Sequence, residues 1–153
     1  LNSGLFAFED LYHRLPGKVT IGTDGASSNN NLSMIESVKF ASLAAKCQAD
    51  SAVAGKAADV FRAATSNGAA AFGLNAGEIR EGAPADCLLV DLNNPFMVPA
   101  YNLVSDLVYA ADSSSIADVI CNGRLVMEDR RVEGEAEIVA EARKLAEKII
   151  NLK

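Results

Sequence analysis

Apolar residues along this chain fall into runs whose spacing shifts from helical to strand-like near its middle. Leu5, Phe6, Phe8, Leu11 and Leu15 recur at three-to-four-residue intervals and stop at Pro16-Gly17, which predicts a short amphipathic helix. Val19-Thr20-Ile21-Gly22-Thr23 then reads as a buried strand, and Gly25 onward as a loop of Gly, Ser and Asn. Ser33 with Glu36 three residues later has the capping-box pattern, so a helix is expected to begin there. Met34, Ile35, Val38, Ala41 and Ala45 carry its apolar face to Cys47. A further helical stretch covers Val53 to Ala64, Thr65-Ser66-Asn67-Gly68 interrupts it, and Ala69 to Phe72 forms a short helix closed by Gly73.

From Gly77 the pattern changes. Gly77-Glu78-Ile79 and the turn Gly82-Ala83-Pro84-Ala85 lead into Asp86-Cys87-Leu88-Leu89-Val90-Asp91, an apolar run that suits a strand. Pro95 and Pro99 bracket a loop, and Asn102 to Ala111 fits helix and strand alike. Ile116 to Cys121, Asn122-Gly123 and Arg124 to Met127 predict a hairpin with a type I′ turn. Glu135 to Ile150 predicts a terminal helix with Ile138, Val139, Ala142, Leu145, Ala146 and Ile149 on one face. The order strand, loop, helix indicates an α/β protein. A boundary near residues 74 to 86 separates that part from a mostly β part with its terminal helix.

The totals narrow the function classes. The 153 residues suffice for one to one and a half domains with a real core. Half are hydrophobic and 22% are charged, which excludes a disordered chain. The formal charge of -6, with no basic cluster interleaved with aromatics, argues against nucleic acid and anionic membranes as partners. Cys47, Cys87 and Cys121 lack the paired spacing of a disulfide framework or a cysteine zinc site. They are expected to be free thiols in the core of a cytoplasmic protein. No apolar run approaches the ~20 residues of a membrane span, and no signal peptide is visible.

Asp24 is the strongest chemical candidate, because it closes a strand and opens a polar loop, where α/β enzymes present their acids. Asp-Gly is also a common turn dipeptide. Ser27, Ser28, Asn29, Asn30 and Asn31 build no core and are better explained as lining a polar cavity. His13, the single histidine, reads as an exposed helix residue without an acidic or histidine partner at ligand spacing. No Gly-x-Ser-x-Gly elbow, dinucleotide fingerprint or phosphate loop is present. Glu128, Asp129, Glu133, Glu135 and Glu137, relieved by Arg124, Arg130 and Arg131, read as a solvated face.

Ile21-Gly22-Thr23-Asp24-Gly25-Ala26-Ser27-Ser28-Asn29-Asn30-Asn31-Leu32 resembles the eighth-strand motif of the amidohydrolase superfamily. The branch is that of the methylthioadenosine/S-adenosylhomocysteine deaminases and their chlorohydrolase relatives. Further blocks follow in order. Leu1-Asn2-Ser3-Gly4 is similar to the segment after the seventh strand, and Ala63-Ala64-Thr65-Ser66-Asn67-Gly68-Ala69 with Phe72-Gly73-Leu74 to the family's helix pair. Gly77-Glu78-Ile79, Gly82, Ala85-Asp86 and Val90-Asp91 resemble the entry into its C-terminal β-domain. Val104 to Ala111 and Val126 to Arg131 favour the adenosine-type branch.

The resemblance implies the C-terminal part of a (β/α)8 barrel over residues 1–74. Residues 75–133 would form half of a composite β-sandwich, with a C-terminal helix at 134–153. It implies one divalent metal, zinc in this branch, held by several histidines and one aspartate. Only the aspartate maps here, onto Asp24, as metal ligand and proton shuttle in the hydrolytic deamination of an adenosine-type nucleoside. The implied class is a hydrolase of C–N bonds other than peptide bonds, acting on a small-molecule substrate. The His-x-His pair, later histidines and catalytic glutamate have no counterpart. Ser27 stands where Ala is common, Ser33 where an acid is common, and Ala83-Pro84 where Gly-Lys is usual. A catalytic zinc takes about three protein ligands, so the chain alone is expected to be inactive. It opens at Leu1 inside a helical pattern without an initiator methionine, and is expected to be the C-terminal piece of a longer hydrolase whose N-terminal part completes the site. Another amidohydrolase substrate (a chlorinated triazine or guanine) and a non-catalytic assembly module are the rival readings. The uncovered sheet edges and helix faces of a partial barrel favour association, so a homo-oligomer is expected.

Overall fold

The computed structural model describes residues 4–151, so Leu1-Asn2-Ser3 of the first family-like block lie outside the described residues. Helix α1 spans Phe8–Arg14, with Glu9 and Asp10 in its first turn and His13 and Arg14 in its last, the arrangement a helix dipole favours. Phe8 is its buried anchor; Leu5 and Phe6, expected to share the helical face, precede the helix and are exposed.

The strand expected at Val19–Thr23 is instead an extended segment without a ladder partner among the described residues. Its burial alternates as a half-covered strand does: Val19, Ile21 and Thr23 turn inward, whereas Thr20, Gly22 and Asp24 are exposed. A strand is defined by its neighbours, and here the helices supply the partners. The Asn67 amide donates to the Val19 carbonyl (2.9 Å), and the Ile21 N–H donates to the Ala63 carbonyl (3.0 Å).

Helix α2 (Met34–Ala49) begins where Ser33 predicts, with the Ser33 hydroxyl accepting from the Glu36 N–H at 3.2 Å. Only half of the capping box forms. The Glu36 carboxylate accepts from the Asn31 side chain, and the Ser33 N–H donates to Asn31 Oδ1 at 2.8 Å. The helix runs two residues past Cys47 to a left-handed Asp50. Helix α3 (Ala57–Ala64) starts later than expected, because Val53 lies in a loop that presses Gly55 against α2 and leaves Val53 70% exposed. Helix α4 (Ser66–Ala71) begins inside the expected break, after a kink at Thr65 whose hydroxyl bonds back to the Phe61 carbonyl at 2.8 Å.

The ambiguous stretch is helix α5 (Leu103–Tyr109), capped by the Asn102 side chain and holding a fully buried Val108. Phe8, Val19, Val38, Ala45, Val60, Ala63 and Val108 form one core, so the extended segment is seated among α1, α2, α3 and α5.

The second part is a three-stranded antiparallel sheet in the order β1 (Cys87–Val90), β2 (Ile116–Cys121), β3 (Arg124–Met127). Leu88 faces Val119, and Ile120 faces Leu125. Asn122 and Gly123, both at positive φ, make the expected turn. Helix α6 matches its predicted span, Glu135–Ile150, but none of its residues is buried, so its apolar face has no cover among the described residues.

Cys47 and Cys121 are exposed and Cys87 is half-buried, because they occupy the outer side of α2 and the strand ends rather than the core. Arg130 is more than charge relief on a solvated face. Its guanidinium donates to Asp91 (2.7 Å) and to the Ser114 carbonyl (2.8 Å), and its N–H to the Ala117 carbonyl (2.8 Å), tying the hairpin to β1. Among the described residues no helix is long and apolar enough to cross a membrane.

The Arg130 guanidinium, helped by the Asn93 N–H, holds the Asp91 carboxyl below its ordinary value of 3.8. A lowered folded pKa contributes stability that is present above that ordinary value and disappears as pH falls through the folded value. Arg130→Ala is therefore expected to lower the unfolding midpoint at pH 6, and the gap from wild type is expected to shrink as pH falls below 3.8. Urea denaturation at pH 6 and pH 3 checks this; a gap of equal size at both would refute the assignment.

Candidate functional site

Asp24 stands at the end of the extended segment, where the backbone turns to φ 62° and the side chain is exposed. The left-handed conformation is uncommon for a residue with a Cβ, though Asp and Asn adopt it more readily than most. Local bonds hold it. The Gly25 N–H donates to Asp24 Oδ1 at 2.6 Å, and the Thr23 hydroxyl donates to the Asp24 carbonyl at 3.0 Å. No other donor among the described residues bonds this carboxylate, which leaves acceptor capacity for a cation or a proton.

The following turn closes on itself. The N–H groups of Ser28 and Asn29 donate to the Gly25 carbonyl at 3.0 and 2.9 Å. Asn29 is half-buried and donates its side-chain amide to the Thr23 carbonyl at 2.8 Å. Ser28 and Asn30 are exposed on the same loop. The four residues singled out for the site thus share one short, hydrogen-bonded stretch that follows the segment anchored in the core by Val19 and Ile21. Asn67 is the residue that sequence reasoning passed over. It is buried and reaches back 48 positions to Val19, a contact that no local pattern signals.

His13 takes no part in this arrangement. Its ring lies 3.1 Å from Glu9 one helical turn earlier and is 60% exposed. The expectation that it lacks an acidic partner is corrected: Glu9 stands at i−4, a spacing that places both side chains on one helix face. Glu9 Oε2 also accepts from the Gly55 N–H at 2.7 Å. That bond is the main cause of a lowered Glu9 pKa, with His13 adding to it.

A shallow cavity of about 350 Å³ lined by Lys46, Val53, Lys56, Ser105 and Tyr109 does not include Asp24. Among the described residues no group of three or more His, Cys, Asp or Glu side chains could hold a metal ion. Asp24 offers a single carboxylate, short of the three or so ligands that a catalytic zinc takes from protein.

A sequence model of the amidohydrolase family matches residues 1–126. The chain belongs to the amidohydrolase family. Among related members, a 5-methylthioadenosine/S-adenosylhomocysteine deaminase of Archaeoglobus fulgidus is 46% identical over 133 residues, covering 85% of this chain and 32% of that protein. A 5'-deoxyadenosine deaminase of Methanospirillum hungatei is 43% identical over 143 residues, covering 92% of this chain and 32% of that protein. This amidohydrolase chain thus spans about a third of the length of these relatives. Its fold superposes on the crystal structure of an adenosine deaminase from Xanthomonas campestris with bound zinc. The TM-score is 0.82 at 37% identity, over 88% of this chain and 31% of that one.

Proposed function

We propose that this chain is the C-terminal part of a metal-dependent deaminase of adenosine-type nucleosides, with Asp24 as metal ligand and proton shuttle. The observation that carries this reading is the 46% identity, over 85% of the chain, to a protein named for deamination of methylthioadenosine and S-adenosylhomocysteine. The free acceptor capacity of Asp24 at the end of the extended segment supports it. In this reading residues 1–74 close a (β/α)8 barrel as its last strand and flanking helices, and residues 75–133 contribute half of a composite β-domain. The neighbouring strands and the histidine ligands come from chain that precedes Leu1.

A bound zinc ion supplies Lewis acidity that brings the attacking water toward a pKa of about 7. Asp24 would be this chain's ligand to that ion, and its carboxylate would accept one proton of the water that adds to the purine C6. It would then deliver that proton to the departing amine, which leaves as ammonia, while the water's second proton ends on the ring nitrogen N1 and the ring carbon keeps the oxygen as a carbonyl. Thr23 and Gly25 hold the shuttle's carbonyl and Oδ1, so the carboxylate changes protonation state without changing place.

The test is ammonia release by the full-length protein from methylthioadenosine, S-adenosylhomocysteine and 5'-deoxyadenosine, beside guanine and a chlorinated triazine. Turnover is expected on the adenosine-type compounds. No ammonia from any of these three would overturn the reading, and turnover of guanine or the triazine instead would assign another amidohydrolase reaction.

A further inference from the structure

We infer that Asn29 is a positioning residue for Asp24: its side chain and its backbone clamp the two residues on either side of the acid. The inference rests on the proposed role of Asp24 and adds the residue that keeps that carboxylate in place. Asp24 and residues 25–28 are exposed, so no core contact fixes the carboxylate, and its direction is set by the backbone. That backbone is left-handed at Asp24, a conformation that Asp adopts more readily than most residues but that leaves the direction of the carboxylate to the peptides on either side.

Asn29 does this from both sides. Its Nδ2 donates to the carbonyl of Thr23, the residue before the acid, at 2.8 Å. Its N–H donates to the carbonyl of Gly25, the residue after it, at 2.9 Å. Half-buried beside exposed neighbours, Asn29 is the part of the loop turned toward the protein. Farther back, Asn67 holds the Val19 carbonyl and Ala63 the Ile21 N–H. Bonds from α4 and α3 therefore fix the segment at Val19 and Ile21, and those of Asn29 fix it at Thr23 and Gly25.

The chemistry at position 29 is specific. The side chain must donate to Thr23, and aspartate, of the same size, would set a carboxylate oxygen against that carbonyl. Glutamine keeps the donor at the end of one more methylene.

The test uses the zinc-loaded full-length protein, with ammonia release from methylthioadenosine and hydrogen exchange of the loop amides. Asn29→Asp is expected to lower kcat about 10- to 100-fold with KM within about twofold, the mark of a misplaced reacting group. Asn29→Gln is expected to recover part of that loss. Exchange at Gly25 to Asn29 should quicken about tenfold or more in Asn29→Asp, while amides of α2 and α3 stay as protected as in wild type. Unchanged kcat and loop exchange would overturn the inference. A raised KM with kcat intact would also overturn it, by making Asn29 a substrate contact, and so would lost protection across α2 and α3, by making it a general fold residue. If the wild-type protein deaminates nothing in the panel, the functional reading fails, and loop exchange alone decides the clamp.

Discussion

Asp24→Asn in the full-length protein is expected to reduce kcat by about three to four orders of magnitude, because in the proposed mechanism it would remove a general base and weaken a metal ligand together. The fold should not respond. Asparagine is at home in the left-handed conformation that position 24 adopts. Its side-chain oxygen can still accept from the Gly25 N–H, which now bonds Asp24 Oδ1 at 2.6 Å. The residue is exposed and takes no part in the core, so the urea midpoint of the variant should match wild type. Bound zinc per subunit, measured by elemental analysis, should fall, since an amide oxygen lacks the charge that holds a divalent cation. Asp24→Ala is expected to lose as much activity, and to bind less zinc still. Activity within tenfold of wild type in Asp24→Asn would remove the residue from the chemistry. A fall in activity matched by a fall in the urea midpoint would make it a turn residue.

The parts of this molecule legible in the sequence are those whose cause is local. Ser33 begins α2 because a hydroxyl three residues from a free N–H needs nothing distant to cap it. Asn122-Gly123 makes its turn because both residues tolerate positive φ. The 3.6-residue period of α6 marks Glu135–Ile150 to the residue, yet that same period implies a buried face, and the face is open. Burial depends on what lies opposite, and periodicity does not carry that.

The same limit explains residues 19–23. Alternation along the segment is visible in the sequence, whereas a ladder requires neighbours that the described residues do not include. Asp24 was legible as an acid at a strand-like end followed by a polar loop. Its supports were not. Asn67 reaches Val19 across 48 positions, and Arg130 reaches Asp91 across 39, so neither leaves a trace at short range. Asn29 was legible as a loop residue near the acid, but the donor role of its amide appears only once the Thr23 carbonyl is placed beside it.

Gly55→Ala is expected to destabilise the fold by about 3 kcal/mol, and the reason is geometric. Gly55 has φ 53°, and a Cβ built there would lie 2.8 Å from Ala45 Cβ and 3.0 Å from the Ser42 carbonyl oxygen. One of those neighbours is a backbone atom on α2, and the other is the methyl of a residue 1% exposed, so neither can swing aside. Relief requires the loop to back away from the helix. That movement would break the bond from the buried Ser42 hydroxyl to the Gly55 carbonyl (2.5 Å) and the one from the Gly55 N–H to Glu9 (2.7 Å). The first would leave a hydroxyl without one of its partners in the interior, and the second would free α1 from the loop. Gly82 separates backbone strain from crowding. It too has positive φ (79°), but an added Cβ there meets nothing within 4 Å. Gly82→Ala should therefore cost only the conformational part, about 1 kcal/mol. Urea denaturation of the full-length variants at constant m-value measures both. Equal midpoints for the two variants would mean that the close approach of Gly55 to α2 is not a feature of the folded protein.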